Sequence, residues 1–201
     1  MPISVIPLKK NQLINQGIFW RERDPKQSTD FSFTRFLVPK IMDYKGWAIF
    51  MDCDMLCQDD LANLWDQRNN EYSVLCVKHN HIPKDKFKFL GEVQSSYPMK
   101  NWSSLMLLNC ERCKNLTVDY VNNATGLDLH RFKWLKSEKE IGEIKGSWNY
   151  LIENNEEKYN KSISLIHWTL GGPWFKDQRN RDSDFDNAWF LARESSTKLY
   201  D

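Results

Sequence analysis

Apolar positions along this chain fall into short runs separated by polar, amphipathic stretches, the alternation expected of an α/β protein. Ser4–Leu8 (SVIPL) reads as a short strand-like run, and the polar stretch 11–30, with its Arg21-Glu-Arg-Asp-Pro25 segment, as a loop. Residues 31–42 predict a helix, with Phe33, Phe36, Leu37 and Met42 near one face, Asp30 as N-cap and Pro39 as its end or kink. Trp47–Met51 is a continuous apolar run, the pattern of a strand buried on both faces, and it stops abruptly at Asp52-Cys-Asp54. Residues 59–65 predict a helix with acids in its first turn. Strands are predicted at 73–77, 105–108 and 163–166, and a short helix at 127–135. The polar stretch 178–201 carries one helical patch at 189–192. Together these predict one α/β domain over residues 1–201, with a reduced N-terminal part (1–30) and a polar C-terminal segment (176–201).

Composition narrows the function. Lys plus Arg total 28 against 27 acids, so no global field draws the chain to nucleic acid or to a membrane surface. Its apolar runs reach about five residues, against roughly 20 for a membrane-spanning helix. No signal-like start is seen, so the expected location is the cytoplasm. The three N-x-[ST] sequons at Asn101, Asn115 and Asn123 then read as chance. The five cysteines are expected as reduced thiols, because the lone Cys110-x-x-Cys113 pair has no second pair to complete a zinc spacing. Nine Trp are unusual, and each divides between core filling and stacking on a sugar or base.

Two constellations carry chemistry. Ligands of α/β sheets gather at the carboxyl ends of strands. Asp52 and Asp54, two apart at such an end, can both turn toward one hard cation such as Mg2+ or Mn2+. Two solvated loop acids are the alternative. His167 closes the apolar run at 163–166 and precedes Leu170-Gly-Gly-Pro-Trp174. A histidine nitrogen suits a transition-type cation, and glycines let backbone approach a ligand. A structural turn with a satisfied histidine is the alternative.

Taken together, FMDCDM (50–55) and HWTLGGPW (167–174) resemble the GT-A glycosyltransferases of glycosyltransferase family 8. There an apolar strand ends in DxD and a later HxxGxxKPW-like motif supplies a third metal ligand. FSFTRFLVP (31–39), NWSSLMLLNC (101–110) and TGLDLHRF (125–132) extend the resemblance over residues 31–175, toward a bacterial-type branch. It implies a central mixed, mostly parallel sheet flanked by helices. It also implies hexose transfer, with retention, from a nucleotide diphosphate sugar to an acceptor, UDP-glucose or UDP-galactose being favoured. By the same resemblance Asp52, Asp54 and His167 hold Mn2+, with Mg2+ as the alternative, and Arg35 lies near the donor. Asn101, Ser103, Ser104, Gly126 and Asp128 line the sugar pocket, Trp148 and Asn149 form a further pocket segment, and Gly171, Gly172 and Trp174 form the diphosphate loop. Asp128 contacts the donor sugar without being a nucleophile.

The chain departs from the resemblance twice. It starts at what resembles the relatives' second strand, and Gly172 stands where the KPW lysine would offset diphosphate charge. That task then falls to the cation, with Lys176 or Arg35 helping. Two rival readings follow. One is a binding-only GT-A remnant. The other is a phosphatase of haloacid-dehalogenase type, whose strand also ends in DxD but favours a hydroxyl or Val where this chain has Leu56.

Overall fold

The structure is a computed structural model, and it describes residues 3–23, 29, 31–79, 99–152, 162–176 and 183–198. Helix α1 (Lys10–Asn15) comes first, and a 3-10 turn (Thr34–Leu37) runs into helix α2 (Val38–Ile41). Strands β1 (Trp47–Met51) and β2 (Met55–Cys57), helix α3 (Leu61–Trp65) and strand β3 (Val74–Cys76) follow. After them come β4 (Leu105–Asn109), α4 (Val118–Asn123), α5 (Gly126–His130), β5 (Ile141–Glu143) and β6 (Tyr150–Leu151). Strand β7 (Leu165–His167) and helix α6 (Asp184–Lys198) complete the order.

The strands form two sheets, β1-β4-β3-β5 and β2-β7-β6. They are mixed and helix-flanked, as expected. The expected predominance of parallel pairs is corrected, because among the described residues β1–β4, β3–β4 and β2–β7 are antiparallel while β3–β5 and β6–β7 are parallel. Alternating apolar runs mark strands but carry no information on strand direction.

Period-2 alternation divides the larger sheet between two cores. Val74, Cys76, Met106 and Leu108 face one cluster with Phe36, Leu37 and Leu129. Leu75, Leu105 and Leu107 face the other with Leu64, Trp148 and Leu165. Strand β1 follows the same rule, with Ala48 and Phe50 on the first cluster and Trp47, Ile49 and Met51 on the second. Both its faces are therefore apolar, as the run predicts, yet every residue is only half-buried because β1 lies at the sheet's edge.

Other expectations are corrected. Residues 4–8 pair with no described strand, and Val5 (82% exposed) and Ile6 (70%) lie on the surface, since an apolar run makes a strand only where a partner edge is offered. The supposed loop 11–30 opens with α1, anchored by buried Leu13. The predicted 31–42 helix is instead a 3-10 turn followed by α2. Pro39 sits in the first turn of α2, where its fixed φ suits a helix start rather than an end. Asp24, Pro25, Asp30 and Gln178 lie outside the described residues. The 59–65 helix is present, with Asp60 as N-cap accepting from the Ala62 amide at 2.8 Å.

Candidate active site

The site sits on the seam between the two sheets. Strand β1 ends at Met51, and the Asp52 amide continues its ladder by donating to the Ser104 carbonyl at 2.9 Å. Strand β2 begins at Met55, and the Asp54 carbonyl accepts from the Trp168 amide at 3.0 Å, continuing the β2–β7 ladder. Asp52-Cys53-Asp54 is thus a bridge pinned to one sheet at each end. Because β7 pairs with β2 in a register that opposes His167 to Met55, it delivers the histidine beside the bridge.

Asp52, Asp54 and His167 each offer a ligand atom, and these atoms lie within 4.8 Å of one another. Arg35 grips Asp52 in a two-pronged ion pair, Nη2 to Oδ1 at 2.8 Å and Nη1 to Oδ2 at 3.0 Å. The guanidinium also donates to the carbonyls of Ser32 and Ser103, both at 2.9 Å, and stacks over Phe50. Arg35 is buried, so its charge is committed to Asp52. Burial is the largest influence on the Asp52 carboxyl and pushes it above the ordinary carboxylate range; Arg35 opposes this and the Asp54 charge adds to it.

Asp54 presents a different problem. Its buried Oδ1 has no hydrogen-bond partner, yet His167 Nε2 stands 3.3 Å away. On the other side of the ring, Nδ1 is 2.8 Å from Asn149 Oδ1, a carbonyl that can only accept. With the proton on Nδ1, bare Nε2 faces a bare carboxylate oxygen, an opposition that either a second proton or a cation relieves. Burial works to raise the Asp54 carboxyl, but the neighbouring His167 ring outweighs it and holds the carboxyl below the usual range. Two carboxylates and one imidazole nitrogen, with an orphaned oxygen between them, fit a divalent ion of Mn2+ or Mg2+ type.

The remaining expected residues divide. Asn101 takes left-handed φ 65°, and its carbonyl accepts from the Ser104 hydroxyl at 2.6 Å. The Ser103 hydroxyl lies 2.8 Å from His130 Nδ1. Asn149 is fully buried, donating to Ser104 Oγ at 2.8 Å as well as facing His167. Trp148, expected in a pocket wall, is packed in the core with Leu64, Ile144 and Leu165. Gly126 opens α5, and Asp128 accepts from the hydroxyl of its cap Thr125 at 2.6 Å. Gly171 has φ 102°, a conformation side chains resist. A Cβ at Gly172 would collide with the Trp174 ring. Trp174 packs with Trp168 and with Trp189 of α6, and Lys176 is exposed. Trp168 also donates its indole N–H to buried Asp186 at 2.9 Å. That tie between α6 and the His167 loop left no trace in the sequence, where Asp186 is one acid among several in a polar stretch.

The Cys110-x-x-Cys113 pair is buried, and burial pushes Cys110 to about 11 and Cys113 higher still. Among the described residues no helix is long and apolar enough to cross a membrane.

A helix-flanked mixed sheet whose edge strand ends in Asp-x-Asp against a strand-end histidine is the arrangement that the resemblance to the GT-A glycosyltransferases implies. The family model for glycosyl transferase family 8 matches residues 4–178. The chain belongs to glycosyl transferase family 8 and is an enzyme of that class. It is 42% identical over 203 residues to Protein CDI of Arabidopsis thaliana, covering 98% of this chain and 77% of that protein. Among solved structures, the apo form of the glycosyltransferase GlyE of Streptococcus pneumoniae TIGR4 superposes with TM-score 0.54 at 12% identity, over 85% of this chain and 44% of that one. The galactosyltransferase LgtC, solved with donor and acceptor sugar analogues, gives TM-score 0.46 at 9% identity, over 78% of this chain and 65% of that one. The chain therefore spans less than two thirds of these solved chains. The phosphatase reading falls with the family assignment, and the ion pair to Arg35 already commits the carboxylate that would have to attack phosphorus.

Proposed function

We propose that this chain transfers a hexose, with retention, from a nucleotide diphosphate sugar to a carbohydrate or other acceptor. UDP-glucose and UDP-galactose are the favoured donors. Asp52, Asp54 and His167 hold Mn2+, with Mg2+ as the alternative. The observation that carries this reading is the convergence of Asp52, Asp54 and His167, with the buried Asp54 Oδ1 lacking a hydrogen-bond partner and 3.3 Å from His167 Nε2.

When bound, a divalent ion supplies Lewis-acid stabilisation of the charge that collects on the departing diphosphate. The chain's own residues prepare for that charge. Arg35 holds Asp52 in one rotamer, so little order has to be imposed when the donor arrives. Gly171 takes a backbone conformation that side chains resist and Gly172 leaves room for the Trp174 ring, and together they shape the loop that faces the diphosphate. Asn101, Ser103 and Asp128 flank the sugar side, Asp128 fixed by Thr125. Free cysteines throughout suit a reducing compartment, in keeping with a cytoplasmic location.

The test is a screen of nucleotide sugars by thermal shift and by release of nucleoside diphosphate, with Mn2+ and with EDTA. Metal-dependent stabilisation by one donor, with slow release of its diphosphate, is the expected result. No response to any donor in the presence of Mn2+ overturns the proposal.

A further inference from the structure

We infer that Asn149, oriented by Ser104, is a positioning residue that locks His167 in the tautomer whose bare Nε2 faces Asp52 and Asp54. The inference rests on the cation-site reading above and deepens it.

The argument starts from a carbonyl, which cannot donate. The Asn101 carbonyl sits in the left-handed conformation and receives the Ser104 hydroxyl proton at 2.6 Å. With its one proton spent there, Ser104 Oγ can only accept from the neighbour 2.8 Å away, which must therefore be the Asn149 amide nitrogen. Turning the amide over would set two oxygens against each other at that distance. The amide orientation then puts Asn149 Oδ1, an acceptor, 2.8 Å from His167 Nδ1. Nδ1 must carry a proton, and in the neutral ring Nε2 keeps its lone pair toward Asp54. Each link forces the next, from a backbone carbonyl to a lone pair two side chains away.

Burial makes the chain of bonds hard to escape. Asn149 is 0% exposed, Ser104 and His167 each 3%. Water cannot substitute for a partner, so an inverted amide would bury unmatched acceptors. Full burial also means that the Asn149 side chain, expected from the sequence to line a pocket, has no face left for a donor. Its contribution passes through His167. Hydrogen-bonded partners behind ligating histidines fix tautomer and ring orientation, and losing one typically weakens metal binding about 10–100-fold.

The experiment reads the imidazole nitrogens directly. 15N NMR of His167 in the metal-free protein reports which nitrogen is protonated. Mn2+ affinity is measured separately by calorimetry. Wild type is expected to show protonated Nδ1 and bare Nε2. Ser104→Ala, which removes a single oxygen, is expected to give a tautomer mixture and a Mn2+ affinity about 10-fold lower or worse. Asn149→Leu is expected to do so more strongly, and Ser104→Thr to restore both readings. Wild type with protonated Nε2 overturns the inference. So does a folded Ser104→Ala with unchanged tautomer and affinity, which also covers the case in which Asn149→Leu fails to fold. A wild-type protein with the expected tautomer but no Mn2+ binding would sink the cation-site reading and leave the positioning chain standing.

Discussion

Replacing Arg35 by Met should destabilise the fold well beyond an ordinary surface change, because it strands a buried carboxylate. The two side chains are 7% and 14% exposed, and the pair is two-pronged at 2.8 and 3.0 Å. Removing one partner of such a pair costs about 3–5 kcal/mol, since the other charge is left uncompensated. The Ser32 and Ser103 carbonyls lose their donor as well, at about 1 kcal/mol each. One escape limits the loss. Burial already pushes Asp52 upward, so in the variant its carboxyl can take up a proton and shed its charge. A net loss of about 3 kcal/mol follows, or roughly 6–12 °C in Tm for a chain of this size. Urea unfolding followed by the fluorescence of the nine Trp measures it. Asp52→Asn in the Arg35→Met background should recover a large part of the loss, because no charge is then stranded. A loss below about 1 kcal/mol, or a double variant no better than Arg35→Met, would refute the reasoning.

Asp54→Asn should abolish transfer and metal-dependent thermal stabilisation while moving Tm little, since the side chain is one-third exposed and its Oδ1 bonds nothing; a stabilisation by Mn2+ equal to wild type would count against Asp54 as a ligand. Mn2+ should bind more tightly than Ca2+ by calorimetry, because a histidine nitrogen suits the former and hard Ca2+ prefers oxygen throughout. Burial works to raise Glu140, but bonds from the Ser73 hydroxyl and the Lys136 and Ser137 amides win and hold it below its ordinary value of 4.5. A depressed acid stabilises the fold above its unfolded pKa and stops doing so as pH falls through the folded one, so the advantage of wild type over Glu140→Gln in urea midpoint should be full at about pH 7 and shrink progressively as pH falls below the ordinary value of 4.5. Trp168→Phe should cost about 1–3 kcal/mol, because Asp186 then has neither oxygen bonded; a change within 0.5 kcal/mol, on a scale where about 1 is typical, would show that Asp186 finds another donor.

How much of this was legible in the sequence follows from which forces act locally. The strands at 47–51, 74–76 and 105–109 were, because period-2 burial against two cores leaves unbroken apolar runs. Asp52, Asp54 and His167 could be singled out because each sits where such a run ends, and the fold brings them together. Strand direction was not, nor the edge position of β1, since both depend on which partner is chosen elsewhere in the chain. The Ser4–Leu8 run misled for the same reason. Arg35 could be placed near the site by its motif, but its commitment to Asp52 depends on 3-10 geometry at residues 34–37 that no periodicity announces. The burial of Asn149 was not legible, because sequence shows an amide but not whether water can reach it. The tie from Trp168 to Asp186 spans 18 residues of chain and has no local signature.

The bridge of Asp52, Cys53 and Asp54 has a consequence for what this chain can tolerate in its own length. One end is committed to Ser104 and the other to Trp168, each by a ladder bond. A single inserted or deleted residue there cannot be absorbed as slack. It must slip either β1 against β4 or β2 against β7, and a one-residue slip turns every side chain of the slipped strand to the opposite face. Substitutions at Cys53, which is exposed, can be varied; the spacing of three cannot. Between these two sheets, the count of residues is itself a fixed dimension of the molecule, in the way that a tie-rod's length is set by the walls it joins.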